Sequence, residues 1–579
     1  MARRTRLLIL ILFLVVFMVV VPIMAFLGFF KTDLKLEVKK KAVVVDLHGP
    51  LHEYYPHLSP DLVFGKREPT LTEIIGCIDH AAEDDRVEGL IVRAMISEAG
   101  VAKCEEIRAA IHRFRETGKL VVAFSPLLVN RHYLVACAAD SIFMPPSGYL
   151  MVQGPAFSTM HIRGMLDKLG ISPNIHRIGD YKSAAEFFTE TRNTPEVREM
   201  MQWLLDDFHN GFITTIAEER GVEAATVRGW VDHALFSPQR ALETGLIDGI
   251  RYWDQVDTMF TEGGAKLVPM RDYIRTEGIM QSSVFFQGVA VIHAQGTITM
   301  GESGFDFASG PTTGSSTVAR ELRRARKNDR IKAVILRVDS PGGDGLAGDM
   351  ISREVELTAR TKPVVVSMSD LAASGGYEIA YRADRIVALP GTITGSIGSI
   401  TGKFNMRGFY DKIGLTKDEV GSGGKSLIFS DYRDFSEDEW AVVDEAHWAF
   451  YRNWIEEIAR FRRMRIGEID SIARGRVWTG AQALERGLID EVGGLERALE
   501  IACELAEIDD PARVSVIHLP RRLTLLQSLL SGGLFDDTVA YLMHRTVFER
   551  LLDNGVRCAG PVPWMRMLHG CENGNVRLK

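Results

Sequence analysis

Short, unbroken apolar runs alternate along most of the chain with stretches in which apolar residues recur every three to four positions. "VVVDLHG" from Val43 and "VAVIHAQG" from Val289 are runs of the first kind, as are "KLVVAF" from Lys119 and "KPVVVSM" from Lys362. Apolar runs of this length, rich in β-branched residues, predict strands buried on both faces. Amphipathic helices between them predict stacked ββα or βαβ units with a mainly parallel sheet, so the fold class is α/β.

One apolar run differs in kind. After Arg3, Arg4 and Arg6 the chain is uncharged from Leu7 to Phe30, long enough to cross a bilayer. The run exceeds the core of a secretory signal and ends in "AFLGFFKTDLK", which offers no small-x-small cleavage site, so it reads as an uncleaved anchor. Lysines 31, 35, 39, 40 and 41 on the far side rival the three arginines, so the charge count leaves orientation open and an extracytoplasmic body is the favoured reading.

The pattern also repeats. "DRVEGLIVR" from Asp85 returns as "DRIKAVILR" from Asp329, "YLVACAADSIFMPP" from Tyr133 as "YEIAYRADRIVALP" from Tyr377, and "LDKLGI" from Leu166 as "YDKIGL" from Tyr410, each 244 positions on. A constant displacement over that length marks a tandem duplication. "ALETGLIDGI" from Ala241 answers "ALERGLIDEV" from Ala483 and carries the second copy to at least Glu491. The chain divides into an anchor and juxtamembrane segment (1–41), a first repeat (42–260), a linker (261–286), a second repeat (287–510) and a tail (511–579) of unassigned role.

Composition changes this picture little. A length of 579 residues requires at least two domains, and a net charge of -8 gives no basic field for nucleic acid. The six cysteines form no CxxC pair and no zinc-like cluster with histidine, and no metal or cofactor is expected. Cys77, Cys104, Cys137 and Cys503 lie in apolar-periodic surroundings and are expected as buried, inert thiols, whereas Cys558 and Cys571 could form a disulfide in an oxidising compartment.

The two copies diverge where chemistry is expected. "AASGG" (372–376) stands opposite "LVNRH" (128–132), which places Asn130 opposite Ser374, and "DSPGGD" (339–344) stands opposite "MISEAG" (95–100). A purely structural need for small residues would be met in both copies, so their asymmetry points to function in the second. Gly342 and Gly343 follow an apolar strand and can present backbone N–H groups to an oxyanion, and Gly375 offers another at a helix start. Ser374 between them reads either as a helix N-cap or as a nucleophile, and a nucleophile requires a base. His447 and Asp444 in "VVDEAHWAF" would have to complete a triad from a single helix, with nothing else in support. Lysine is the better candidate, because an apolar setting disfavours its charged form. Lys182 in "GDYKSAAEFF" and Lys425 in "GSGGKSLIF" fall almost opposite each other in the repeat. Glu419 occupies the position where a phosphate-binding loop ending at Lys425 would need glycine, which excludes that motif. Ser396 in "TGSIGS" offers a hydroxyl to orient an amine.

Together "DSPGGD", "AASGGY", "TGSIGS" and "GDYKSAAE" resemble the signal peptide peptidase A (protease IV) family in its long tandem form, over roughly residues 1–510. The resemblance implies a Clp-protease or crotonase-like fold in each half. It implies a single-pass protein of the bacterial inner membrane, assembled as a dome-shaped homo-oligomer, a tetramer being favoured, with its body in the periplasm. The implied activity is cleavage of spent signal peptides and other hydrophobic peptides. By motif, Ser374 would be the nucleophile, Lys182 the general base and Ser396 the residue orienting it, with Gly342, Gly343 and Gly375 at the oxyanion hole. Lys425 remains the alternative base, as in the short form of the family; Lys182 is preferred because a base must be held rigid and dry. A crotonase-type acyl-CoA enzyme and a non-catalytic membrane scaffold are the rival functions.

Overall fold

The computed structural model describes residues 40–54, 68–96, 99–278, 288–306, 310–508 and 514–520. Two sheets dominate it. The first runs in the order Lys266–Pro269, Lys41–Gly49, Val87–Ile96, Leu120–Phe124, Ser141–Met144, Gly249–Ile250, parallel throughout. The second repeats that order strand for strand with Ser515–Leu519, Gly288–Gln295, Ile331–Ser340, Val364–Ala373, Arg385–Ala388 and Glu491–Val492.

The unbroken apolar runs are explained by burial on both faces. In the second sheet Val289, Val291, Ala333, Ile335 and Val365 pack against Ala498, Ile501 and Ala502 of the helix Leu495–Leu505. Their neighbours Ala290, Ile292, Val334, Leu336 and Val366 face the other way, onto Leu322 and Ile351 of the helices Ser315–Lys327 and Gly345–Ala359. Tyr133 and Tyr377, equivalent residues of the two copies, are both fully buried and donate their hydroxyls to Leu246 O at 2.7 Å and Leu488 O at 2.9 Å.

Two of the expected boundaries move. The span 261–286 is not a bare linker, because Lys266–Pro269 pairs with Lys41–Val44 and the helix Met270–Glu277 buries Met270 and Tyr273 against the first repeat. The strand Ser515–Leu519 likewise returns from the assigned tail to pair with Gly288–Ile292. Both additions cover the exposed edge of a repeat's opening strand, a liability in any parallel sheet. The apolar run 7–30, the tail beyond residue 520, and Cys558 and Cys571 lie outside the described residues; among the described residues no helix is long and apolar enough to cross a membrane.

The repeats are joined by an antiparallel ladder. Ser172–Ile178 of the first pairs residue for residue with Ser399–Asn405 of the second, ending with Ile178 opposite Ser399. Past that last rung the first-repeat chain turns at Gly179 and reaches Lys182 beside the loop 396–398. Gly475, at φ +81°, makes the approach possible: a Cβ there would lie 2.6 Å from Lys182 Cα. The ladder therefore fixes where a first-repeat side chain enters the second repeat.

Candidate active site

Ser374 ends the strand Val364–Ala373 and opens the short helix Gly375–Glu378. Its backbone sits at φ 57°, ψ −118°, a region that costs a side-chain-bearing residue about 1–3 kcal/mol. The surroundings enforce it. Ser374 N donates to Gly395 O at 2.8 Å, and Ser374 O accepts from Tyr377 N and Glu378 N at 3.0 Å each. The hydroxyl does not cap the helix, so the N-cap reading is replaced by another partner.

That partner is Lys182. Its Nζ lies 2.9 Å from Ser374 Oγ, 3.0 Å from Ser396 Oγ and 2.8 Å from Ser396 O. Lys182 is 5% exposed, and burial pushes its pKa down to about 7 against a partial upward pull from Glu378. Burial also holds the Glu378 carboxyl well above its ordinary range, which weakens that pull. The segment carrying Lys182 is braced from outside by Tyr181, whose ring lies under the Arg476 guanidinium at 3.9 Å and beside Trp203. Ser396, at φ 52°, turns both its hydroxyl and its carbonyl to the amine; the carbonyl contact has no signature in the sequence.

Opposite the hydroxyl lies the glycine turn. Gly342 has φ 97° and Gly343 φ 156°, and a Cβ on Gly375 would lie 3.2 Å from Gly343 N, so the two loops touch through bare backbone. The N–H of Gly343 and that of Gly375 have no backbone partner among the described residues, which leaves both available to an anion. Gly342 plays a different part. Its N–H donates to Ser340 Oγ at 3.1 Å and its carbonyl accepts from Ile298 N at 2.9 Å, so it shapes the turn and has no free N–H to offer an anion.

The other candidates are not brought to Ser374. Lys425 is exposed in a turn of the second repeat. His447 faces His176, Nδ1 to Nδ1 at 2.7 Å, and His176 Nε2 lies 2.9 Å from Asp444, which makes these residues a link between the repeats and not a triad. Asn130, opposite Ser374 in the duplication, is tied to its own loop by bonds to Gly154 O and from Gln153 N. Cys77, Cys104, Cys137 and Cys503 are buried free thiols, the first three pushed up to about 12 by burial.

A hydroxyl beside a buried amine, facing free amide donors, is suited to acyl transfer. The sequence profile of peptidase family S49 matches residues 113–267 and again 356–509. The chain is 35% identical to the chloroplastic serine protease SPPA of Arabidopsis thaliana, over 78% of this chain and 68% of the relative. It is 31% identical to Protease 4 of Haemophilus influenzae, over 76% and 73%. Among solved structures it is similar to a membrane-bound stomatin-specific protease, with 17% identity and a TM-score of 0.26 over 41% of this chain and 99% of that one, a likeness too low to bear on the argument. The protein is a serine protease. It belongs to peptidase family S49.

Gly342→Ala tests the glycine turn. The new Cβ would lie 2.6 Å from Gly375 N and 2.8 Å from Ser374 Cβ at a φ of +97°. Turnover is expected to fall by about 10²-fold or more while the circular dichroism spectrum is kept; a variant with native turnover would show that the turn has no part in the chemistry.

Proposed function

We propose that the protein is a membrane-anchored endopeptidase that uses a Ser374/Lys182 dyad to degrade cleaved signal peptides and other hydrophobic peptides. The observation that carries this reading is the 2.9 Å approach of a buried Lys182 amine to Ser374 Oγ. A neutral lysine amine has two N–H groups and one lone pair. Ser396 O and Oγ accept the two N–H groups, and the lone pair is left for the Ser374 proton. As Oγ attacks a peptide carbonyl, the proton passes to Nζ and the new oxyanion is received by the N–H groups of Gly343 and Gly375. Lys182 returns the proton to the leaving amine, then takes one from the water that attacks the acyl-enzyme and passes it to Ser374 Oγ as the ester bond breaks, which restores hydroxyl and neutral amine. Family membership as a serine protease displaces the acyl-CoA enzyme and scaffold readings.

Apolar substrates are supported by Leu346 and Met350, one helical turn apart and exposed just beyond Gly343, with exposed Met300 on the strand region that bridges to it. Anchoring rests on the uncharged run 7–30, and we place the body on the periplasmic face of a bacterial inner membrane. Assembly follows from the duplication. The strand 172–178 has its counterpart at 416–422 and the strand 399–405 at 155–161; both counterparts lie outside any helix or ladder, and Val420 is 91% exposed. Pairing 416–422 of one copy with 155–161 of the next would repeat the internal joint head to tail, and a closed ring, with a tetramer favoured, is the assembly proposed.

Ser374→Ala and Lys182→Ala are each expected to abolish cleavage of a hydrophobic peptide amide, with Lys425→Ala near native; the opposite ranking of the two lysines would overturn the dyad. Because the base works only when neutral, kcat/KM is expected to rise with pH through about 7 and level off above it. Val420→Asp is expected to shift the particle to smaller species in light scattering, and an unchanged mass would remove the proposed joint. Deleting residues 1–30 is expected to move the protein from the membrane fraction to the soluble one, and retention in membranes would count against the anchor.

A further inference from the structure

Between the repeats lies a buried cluster of charges that the dyad does not use. Arg337, 1% exposed, forks between Glu53 and Glu106 of the first repeat, with bonds of 2.9 Å to Glu53 and 2.6 Å to Glu106, and also donates to Ser367 Oγ at 2.9 Å. Beside it Lys103 of the first-repeat helix Val101–Glu116 donates its Nζ to Asp339 Oδ2 at 2.7 Å and to Leu51 O at 3.0 Å, and lies 3.6 Å from Asp370 Oδ2. Asp370 in turn accepts from Gly100 N at 2.7 Å and Lys103 N at 3.0 Å.

The place of these two aspartates in the sheet gives the cluster its meaning. The strands Ile331–Ser340 and Val364–Ala373 run in register to the pair Val338 and Met368, but the next pair is Ser340 with Ala372. Two steps on one strand match four on the other, so residues 369–371 form a bulge. Bulges re-aim the chain that follows them. Asp339 sits at the break on one strand and Asp370 within it on the other, and each is four residues ahead of a working group, Gly343 and Ser374 respectively. The Lys103 ammonium is the one cation that reaches both aspartates in the described residues.

We propose that Lys103 is a positioning residue for hydrolysis at Ser374, clamping the register break from which the oxyanion turn and the nucleophile turn both spring. The inference rests on the dyad reading. The first repeat then supplies two lysines, Lys182 as the base and Lys103 to hold donor and nucleophile in mutual register. A buried ion pair with no such task can be exchanged for neutral groups at little cost, whereas this one cannot be exchanged without loosening the bulge.

The test is the double variant Lys103→Met/Asp339→Asn, which removes one charge of each sign and leaves Asp370 on the backbone N–H groups of residues 100 and 103. Sites are counted at the endpoint of labelling by a serine-directed phosphonate, so that unfolded molecules drop out, and kcat is expressed per site. Positioning predicts kcat per site lower by about tenfold or more with KM within about twofold, since a small misplacement far from the bond broken suffices for this. Native kcat per site, or a change confined to the number of sites, overturns the proposal. Should that variant fail to fold, the nearly isosteric Asp339→Asn is expected to lower kcat per site in the same direction by a smaller factor, and no change there overturns it equally. If Ser374→Ala is dead while both Lys103-cluster variants turn over normally, this inference alone falls. Full activity of Ser374→Ala would remove the dyad reading and this inference with it.

Discussion

The structure turns on keeping one lysine amine dry. In water a lysine amine is almost wholly protonated at neutral pH and has no lone pair to offer. Around Lys182 the described structure provides two serine hydroxyls and a carbonyl within 3.0 Å, and no carboxylate bonds to the amine. Such a site satisfies a neutral amine but gives an ammonium only the weak pull of Glu378, so burial dominates and the pKa falls to about 7. The braced Tyr181, the close backbone crossing at Gly475 and the seven-residue ladder 172–178 all serve to bring Lys182 into that enclosure.

A dry site built from two repeats requires that the repeats cannot part easily. One device is visible only by comparing the copies. Asp344 caps its own helix in the second repeat, its Oδ1 accepting from Ala347 N at 2.9 Å. The equivalent Gly100 has no side chain, and Asp370 reaches across from the other repeat to accept from Gly100 N and Lys103 N. A cap of this kind is worth about 0.5–2 kcal/mol. Moved to the interface, that energy opposes separation of the repeats. Arg337 lies in the same interface and bonds both Glu53 and Glu106 of the other repeat.

Much of this was legible in the sequence. The duplication, the parallel α/β plan and the loss of "AASGG" and "DSPGGD" from the first copy are linear features, and they led to Ser374, to the glycine turn and to two lysines. The criterion that separated the lysines was physical: Lys182 lies among alanines and phenylalanines that can exclude water, while Lys425 follows three glycines in five residues. What the sequence withheld depends on pairing at a distance. "KLVP" is too short to show a strand period, and it becomes a strand only against Lys41–Val44, more than two hundred residues earlier. The bulge at 369–371 is a relation between two strands and belongs to neither alone. The donor role expected for Gly342 failed because its N–H is already engaged by Ser340 Oγ, a contact set by the fold of the turn.

Dividing the proposed dyad between repeats ties the state of its amine to the contact between them. Before docking, Lys182 is solvated and keeps the ordinary lysine value of about 10.4, so that roughly one molecule in a few thousand carries a neutral amine at pH 7. After docking, with the value near 7, about half do. The same event brings the amine within 2.9 Å of Ser374 Oγ and sets Lys103 against Asp339 and Asp370. The amine's basicity, its position and the register of the strand that ends at Ser374 thus all depend on the same contact between repeats. A second repeat standing alone would hold a strained serine beside its glycine turn without the Lys182 amine. With the proposed base confined to the other repeat, the Ser374–Lys182 contact exists only in the completed molecule.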